Sequence, residues 1–593
     1  MTSERPMADD PQARVLKGIA ASPGVAIGAA TVIDSDHLPV PRHHVDPEDV
    51  EGQIERLRNA IEGSRQELEE IRARLGEDAP ADYRLILDAH LMMHSDELLI
   101  DIATHAIRDE CISAEWAVER AVHSIKRHLE QAPDPYFRDR AIDVQHVGKR
   151  IHSQLVGRVS SLPPMGQDAV LVIDDLHPAD AAHLLDAPVA ALVTGLGSAT
   201  SHTAILARTL EIPSVVGVPN VTQLVGSGDR LVVDGLHGRV VLSPDSATCQ
   251  EAEARGRRYQ LFTRNLRAHG VHSVTLDGVP VEVLANVDLP SEVTLAVREQ
   301  APGIGLYRTE FLFMNRQEPP SEDEQLGVYR DIARVAGSRP VVLRSFDIGG
   351  DNLTIEKGAL GLNPALGLRA IRLALARPEM FRTQLRAVLK AATAGDLRLL
   401  FPLVSGLTEL RRAKQELARA RAELEEEGAA IGSVHVGAMI ELPAAVVMAD
   451  RIAAEVDFMA VGTNDLVQYS LAVDRTNPQV AYLADALDPA VLRQLDRVIS
   501  VGKDADRPVS MCGDMATDPV ALPIVAGLGF RSVSVPIAAM PLAREILRAI
   551  DTRQARGVVD RALACDTALD VRVLVRKSFP QLDPVWQEAG IDD

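Results

Sequence analysis

Cysteine is scarce: Cys111, Cys249, Cys512 and Cys565 are the only four in 593 residues, and they are scattered without metal-ligand spacing. That excludes a thiolate metal site and fits a reducing compartment, for which the cytoplasm is the simplest choice. No secretory segment opens the chain, because residues 1–14 are polar and proline-bearing. No run is long and apolar enough to span a bilayer. Positive charge is also short, with 62 Lys and Arg against 84 Asp and Glu and a net charge of -22. DNA and RNA would be repelled, whereas a basic protein partner would be attracted. Hydrophobic residues make up 46% of the chain, enough for ample cores, and the length asks for three or four compact units.

What is present is organised around a loop at residues 193–208. It leads from an apolar run, 189–193, into a stretch where Ile205, Leu206 and Leu210 share a helical face. Gly195 and Gly197 relax the turn, and the amides at the helix start present the positive end of its dipole. A phosphoryl group would find donors in place there, with the imidazole of His202 at the same end. A nitrogen nucleophile beside an oxyanion cradle suits a phosphohistidine, although a solitary histidine is more often structural or simply exposed.

Taken in order, 17–28 reads as two short strands around Pro23-Gly24. Val50, Ile54, Leu57, Ile61, Leu68, Ile71 and Leu75 then recur at three- and four-residue steps or their sum, the stripe of an amphipathic bundle helix. Further helices are predicted over 83–97, 98–108, 113–128 and 139–155. Short apolar runs at 169–173, 189–193, 214–217, 230–234 and 239–242 alternate with turns, which predicts an α/β unit. A polar helix over 245–269 follows; at about 1.5 Å per residue it would hold its flanks on the order of 35 Å apart if straight.

Beyond Gly278 eight apolar runs, 279–287, 303–309, 340–347, 397–404, 435–442, 457–465, 508–514 and 532–535, are separated mostly by helical segments. Eight such units predict a closed parallel barrel with its reactive groups at the carboxyl ends of the strands. Asn286, Arg308, Arg344, Glu441, Asn464 with Asp465, and Cys512 fall at or near those ends. Arg308, Arg344 and Arg475 together suggest a polyanionic ligand gripped by guanidinium forks. Glu441 and Asp465 end adjacent strands, five and six, and offer hard oxygen ligands to magnesium; alternatively these acids simply pair with the arginines. Cys512 is either a small hydrophobe or, as a thiol protonated at neutral pH, a proton donor.

The run Thr200-Ser201-His202-Thr203-Ala204-Ile205-Leu206-Ala207-Arg208, followed by Ile212-Pro213-Ser214-Val215-Val216-Gly217, resembles the phosphohistidine loop of a phosphoenolpyruvate-utilising family. That family includes enzyme I of the sugar phosphotransferase system, pyruvate phosphate dikinase and phosphoenolpyruvate synthase. The resemblance extends from Gly18 to about Ile550. Residues 17–28 are similar to the enzyme I amino-terminal signature, and 305–314, 347–351, 462–466 with Asp474-Arg475, and 511–514 are similar to its phosphoenolpyruvate-binding barrel.

The resemblance implies a multidomain α/β protein: a swivelling phosphohistidine α/β domain with an inserted helical bundle, a connecting helix, then a (β/α)8 TIM-type barrel. The implied boundaries are a flexible tail at 1–14, a discontinuous phosphohistidine domain at 15–34 plus 158–243, and a helical phosphocarrier-binding domain at 44–157. A connecting helix at 244–272, the barrel at 273–570 and a carboxyl-terminal tail at 571–593 complete it. By the same resemblance His202 carries the phosphoryl group, Cys512 donates the proton, Arg308, Arg344, Arg369, Asn464, Asp465 and Arg475 hold phosphoenolpyruvate, and Glu441 and Asp465 bind Mg2+. The small basic phosphocarrier HPr would dock around Asp88, Asp96, Glu97 and Leu98 and receive the group on a histidine, pyruvate being released. A homodimer through the barrel is implied too.

Four positions depart from the family pattern: His177 replaces a threonine, Ser198 a glycine, Asn352 a lysine and Asp514 a glutamate. A dikinase or synthase would need a large nucleotide-binding domain, for which the chain leaves no room. An idle regulator would have no chemical reason to retain His202, Arg308, Glu441, Asp465 and Cys512 together.

Overall fold

The computed structural model describes residues 14–33, 41–75, 91, 97–130, 135–157, 166, 168–176, 189–197, 203–204, 207, 212–268, 270, 272–288, 290–313, 318–349, 364–475, 477 and 479–591. The chain folds as two units, Met1–Phe262 and Thr263–Asp593.

The first unit holds an eight-stranded sheet of β1 (Arg14–Lys17), β2 (Ile19–Ser22), β3 (Val25–Ile33), β4 (Ala169–Ile173), β5 (Ala191–Thr194), β6 (Ser214–Val216), β7 (Arg230–Asp234) and β8 (Arg239–Leu242). Their order is β1-β8-β7-β3-β4-β5-β6-β2. β3 to β6 pair in parallel and the flanking pairs are antiparallel. β4 and β5 are buried along their whole length, which explains why they read as unbroken apolar runs. β1 and β2 stand at opposite ends of the strand order, yet Gly18 alone separates them in the chain, so both rims of the sheet converge on one residue. No side chain fits there: a Cβ would lie 2.6 Å from Val218 and 2.7 Å from the Val216 carbonyl.

Between β3 and β4 the described residues include the helices Val50–Leu75, Glu97–Glu110, Ala114–Glu130 and Pro135–Leu155. The first serves two cores with one stripe. Ile54, Leu57 and Ile61 pack with Ile107, Val118 and Ile151 of the bundle. Two turns further on, Leu68 and Ile71 join Leu171, Ile173 and Leu192 of the sheet. Helix Ser246–Ala268 follows β8.

The second unit is a closed barrel of eight parallel strands. These are β9 (Glu282–Val287), β10 (Ile304–Arg308), β11 (Val341–Arg344), β12 (Leu397–Phe401), β13 (His435–Ile440), β14 (Phe458–Gly462), β15 (Val509–Cys512) and β16 (Ser532–Pro536). β16 closes on β9 in register. Leu306, Val342, Leu400, Met439, Phe458, Ala460 and Cys512 form a separate apolar cluster of strand residues. Residues 571–593, expected to trail away as a tail, instead fold against the barrel as far as they are described. Helices Ala568–Ser578 and Asp583–Glu588 place Val571, Val575, Phe579, Leu582 and Trp586 in the barrel's own core. The Trp586 indole also donates to the Pro519 carbonyl at 3.1 Å. Their burial holds the segment against the barrel. Among the described residues no helix is long and apolar enough to cross a membrane.

Candidate functional site

The strand ends of the barrel gather the expected side chains. Arg308 and Arg344 are the last residues of β10 and β11, sitting opposite each other in register, and Cys512 ends β15. Glu441 directly follows β13, where Pro443 starts the next helix. Asn464 and Asp465 lie in the first turn of helix Thr463–Leu471 after β14, so the Asp465 carboxylate stands at the positive end of that helix.

Each arginine meets an acid. Arg344 contacts Glu310 at 3.0 Å and Asp347 at 3.2 Å, with only 13% of its side chain exposed. Arg369 forks onto Asp347, its Nη2 2.9 Å from both carboxylate oxygens, and reaches Asp465 at 3.3 Å. Its Nη1 also donates to the Tyr469 hydroxyl at 3.3 Å. Arg308 pairs with Asp288 at 3.3 Å and Arg475 with Asp514 at 3.9 Å, both pairs being well exposed. The acid-pairing alternative raised by the sequence is therefore real. It does not exhaust the arginines: the buried Arg344 Nε has no hydrogen-bond partner, and a guanidinium in that state can take an oxyanion. Burial opposes the Arg344 and Arg369 charges, but the surrounding carboxylates overcome it and hold both cations firmly protonated.

Glu441 is 2% exposed, and its Oε1 accepts the Leu403 amide at 2.5 Å. Burial, followed by repulsion from Asp465 and Asp347, pushes its carboxyl up to about 8. Two buried carboxylates that repel each other favour a cation beside them. Among the described residues no group of three or more His, Cys, Asp or Glu side chains converges on one metal position. Glu441 and Asp465 as a two-acid oxygen set, with further positions left to water and ligand oxygens, fit a hard divalent ion such as magnesium.

Cys512 is 2% exposed and donates its thiol to the Val461 carbonyl at 3.5 Å. Burial, reinforced by the Glu441 charge, pushes the thiol up to about 12, so it stays protonated throughout the physiological range. Beside it Asn464 Oδ1 accepts the Asp514 amide at 2.7 Å.

Three family models match the chain in succession: PEP-utilising enzyme, N-terminal, over residues 17–140; PEP-utilising enzyme, mobile domain, over 165–238; and PEP-utilising enzyme, PEP-binding domain, over 264–552. A phosphoenolpyruvate-protein phosphotransferase of Geobacillus stearothermophilus is 39% identical over 571 residues, covering 95% of this chain and 98% of that protein. One of Staphylococcus aureus is 37% identical over 566 residues, covering 95% and 99%. The chain belongs to the phosphoenolpyruvate-protein phosphotransferase, or enzyme I, family.

Of the enzyme I positions, His202 lies outside the described residues, as do His177, Ser198, Asn352, Asp88 and Asp96. Glu97 and Leu98 open helix Glu97–Glu110, but their side chains are outside the description too. The loop that carries His202 is described up to its start. β5 ends at Thr194, whose hydroxyl donates to the Leu196 carbonyl at 2.5 Å, while the Gly195 and Leu196 amides donate to Ile173 and Asp174. Thr203 and Ala204 are helical and buried.

Sequence reasoning assigned no role to Glu310, Asp347, Gln384 or Tyr469. Glu310 and Asp347 follow strand ends inside the two segments quoted for the resemblance, and that placement was the available signal. Gln384, from helix Pro378–Ala391, bonds the Thr309 hydroxyl at 3.0 Å and the Phe346 amide at 3.1 Å; Thr309 in turn bonds the Arg344 carbonyl at 2.9 Å. This buried amide ties the ends of β10 and β11 together.

Proposed function

We propose that the chain transfers the phosphoryl group of phosphoenolpyruvate to His202 and from there to a histidine of the phosphocarrier HPr, the first step of the sugar phosphotransferase system. The observation that carries the proposal is the barrel mouth: buried arginines, two mutually repelling carboxylates and a protonated thiol share one set of strand ends.

In this reading Arg308, Arg344, Arg369, Arg475 and Asn464 hold the phosphoryl and carboxyl groups of phosphoenolpyruvate, and their acid partners set the guanidinium orientations beforehand. Glu441 and Asp465 hold Mg2+, which when bound would withdraw charge from the phosphoryl oxygens. The His202 nitrogen attacks phosphorus in line, the bond from phosphorus to the enol oxygen breaks, and its electron pair leaves with enolpyruvate. Cys512 then gives its proton to the methylene carbon of the enolate, producing pyruvate, and the thiolate recovers a proton from water. A buried thiol near 12 is a reluctant acid in the resting site, but it reprotonates fully after each cycle and cannot be lost to metal or oxidant as thiolate.

His202 and the barrel mouth lie in different units, so transfer requires them to meet and part, with the connecting helix as a turning point; the segments 34–44 and 155–165, expected to turn as well, lie largely outside the described residues. The net charge of -22 favours a basic carrier docking around Asp88, Asp96, Glu97 and Leu98. Exposed Val447, Met448, Tyr482 and Leu483 on the barrel support a homodimer through that unit, and the protein is assigned to the cytoplasm.

The test is radiolabelled phosphoenolpyruvate with magnesium. Wild type gains an acid-labile, base-stable label that HPr removes, and His202→Ala gains none. Equal labelling of the two would overturn the proposal.

A further inference from the structure

At the amino ends of the barrel strands, opposite the mouth, lies a second cavity of about 1150 Å3. Its lining includes the first residues of β9, β10, β14, β15 and β16, so its position is fixed by the barrel itself. Six cations line it, Arg398, Lys503, Arg507, Arg531, Arg553 and Arg556, against two acids, Glu282 and Asp496. In a chain carrying a net charge of -22, a concavity with that balance is out of keeping with the rest of the surface.

The chain's own carboxylates do not account for all of this charge. Arg398 pairs with Asp396 and Arg556 with Asp496 and Asp560. Arg553 reaches Asp551 and Asp277 only at 3.6 and 3.9 Å, and Asp277 is already held by the Thr275 and Thr552 hydroxyls. The other three have no acid within ion-pair distance among the described residues. Arg507 donates Nε to the Ala453 carbonyl and Arg531 donates Nη1 to the Ala526 and Phe530 carbonyls, which holds each guanidinium in place without neutralising its charge. Lys503 is exposed at the end of helix Pro489–Asp504. Between these cations the half-buried side chains of Ile499 and Val509 give the cavity an apolar patch.

We propose that this cavity is an anion site for a small organic polyphosphate, its phosphates on Lys503, Arg507 and Arg531 and its apolar portion over Ile499 and Val509. Guanidinium groups already held at one nitrogen by carbonyls lose little freedom when the remaining N–H groups bind phosphate, and the volume suits a ligand of nucleotide size. The site is separate from the mouth and does not depend on the phosphotransfer reading.

Titration calorimetry of the full-length protein with ADP and, separately, pyrophosphate tests it. Both probes bind wild type. Arg531→Gln weakens each about tenfold, the loss of one charge-assisted contact, and Lys503→Gln weakens each by about threefold. Lys503 is exposed and has no ion-pair partner among the described residues, so its variant folds even if Arg531→Gln does not. Both variants keep their activity in the absence of probe, and Arg308→Gln, at the mouth, keeps its ADP affinity. Pyrophosphate binding as tightly as ADP would remove the apolar half of the proposal. Absence of binding to wild type, or affinity lost in Arg308→Gln and retained in Lys503→Gln, would overturn it.

Discussion

Arg369 grips Asp347 side-on, with Nη2 2.9 Å from each carboxylate oxygen and Nε 3.1 Å from one of them. The same carboxylate takes Arg344 at 3.2 Å, so one acid sets the direction of two cations. Asp347→Asn keeps the shape but removes the charge and half the acceptors. It should raise KM for phosphoenolpyruvate about tenfold or more and change the rate of label transfer to the carrier little. Steady-state pyruvate release at varied substrate measures the first effect and single-turnover transfer the second.

Glu441 yields a pH prediction. Its folded carboxyl lies at about 8, against about 4.3 for an unfolded glutamate, so without metal the native protein holds a proton there that the unfolded chain gives up. Stability from this group is fully present below pH 4.3 or so and drains away as pH rises to about 8. A divalent cation needs the carboxylate ionised, so magnesium binding near pH 7 should eject about one proton and bind more tightly as pH rises. Calorimetry in buffers of different ionisation heat reads the proton count, and a count of zero at pH 7 would contradict the assignment.

Cys512 should be chemically quiet despite the role proposed for it. Iodoacetamide at pH 8 is expected to label the part-exposed Cys111 and Cys565 before Cys512, because the buried thiol at about 12 has almost no thiolate to offer. Cys512→Ala should slow pyruvate formation by about 100-fold or more. Mass spectrometry of the modified sites and a coupled pyruvate assay check the two statements.

Gly513 separates Cys512 from Asp514 at a φ of +111°, and a Cβ there would lie 2.4 Å from Thr463 Oγ1 and 2.8 Å from Asn464 Oδ1. Gly513→Ala should therefore displace Asn464, cost about 1–3 kcal/mol of stability and lower kcat/KM about tenfold or more. Urea unfolding alongside the coupled assay separates the two losses.

The barrel was legible because each strand is an apolar run and most runs end at or near a charged or polar residue that a buried strand end would otherwise avoid, as at Arg344 and Glu441. The stripe from Val50 to Ile71 announced its helix equally well, but not its two destinations. Periodicity says which face is buried and nothing of what buries it, so the passage of Leu68 and Ile71 onto the sheet was invisible. The fold of the described part of 571–593 was missed although Val571, Val575, Phe579, Leu582 and Trp586 recur at three- and four-residue steps, because the eight barrel strands were already complete without that stripe. Glu310 and Asp347 escaped because an acid that orients an arginine has no spacing rule of its own.

Gly18 ties the two margins of the first sheet together through the chain, since the strand on either side of it forms one margin each. A proteolytic cut that removed everything up to Ser22 would bare β8 and β6 at once, leaving the sheet a template with two newly unpaired sides. The protein's exposure to aggregation is thus concentrated in a nine-residue ribbon near its beginning, far along the chain from the chemistry that the ribbon helps to keep soluble.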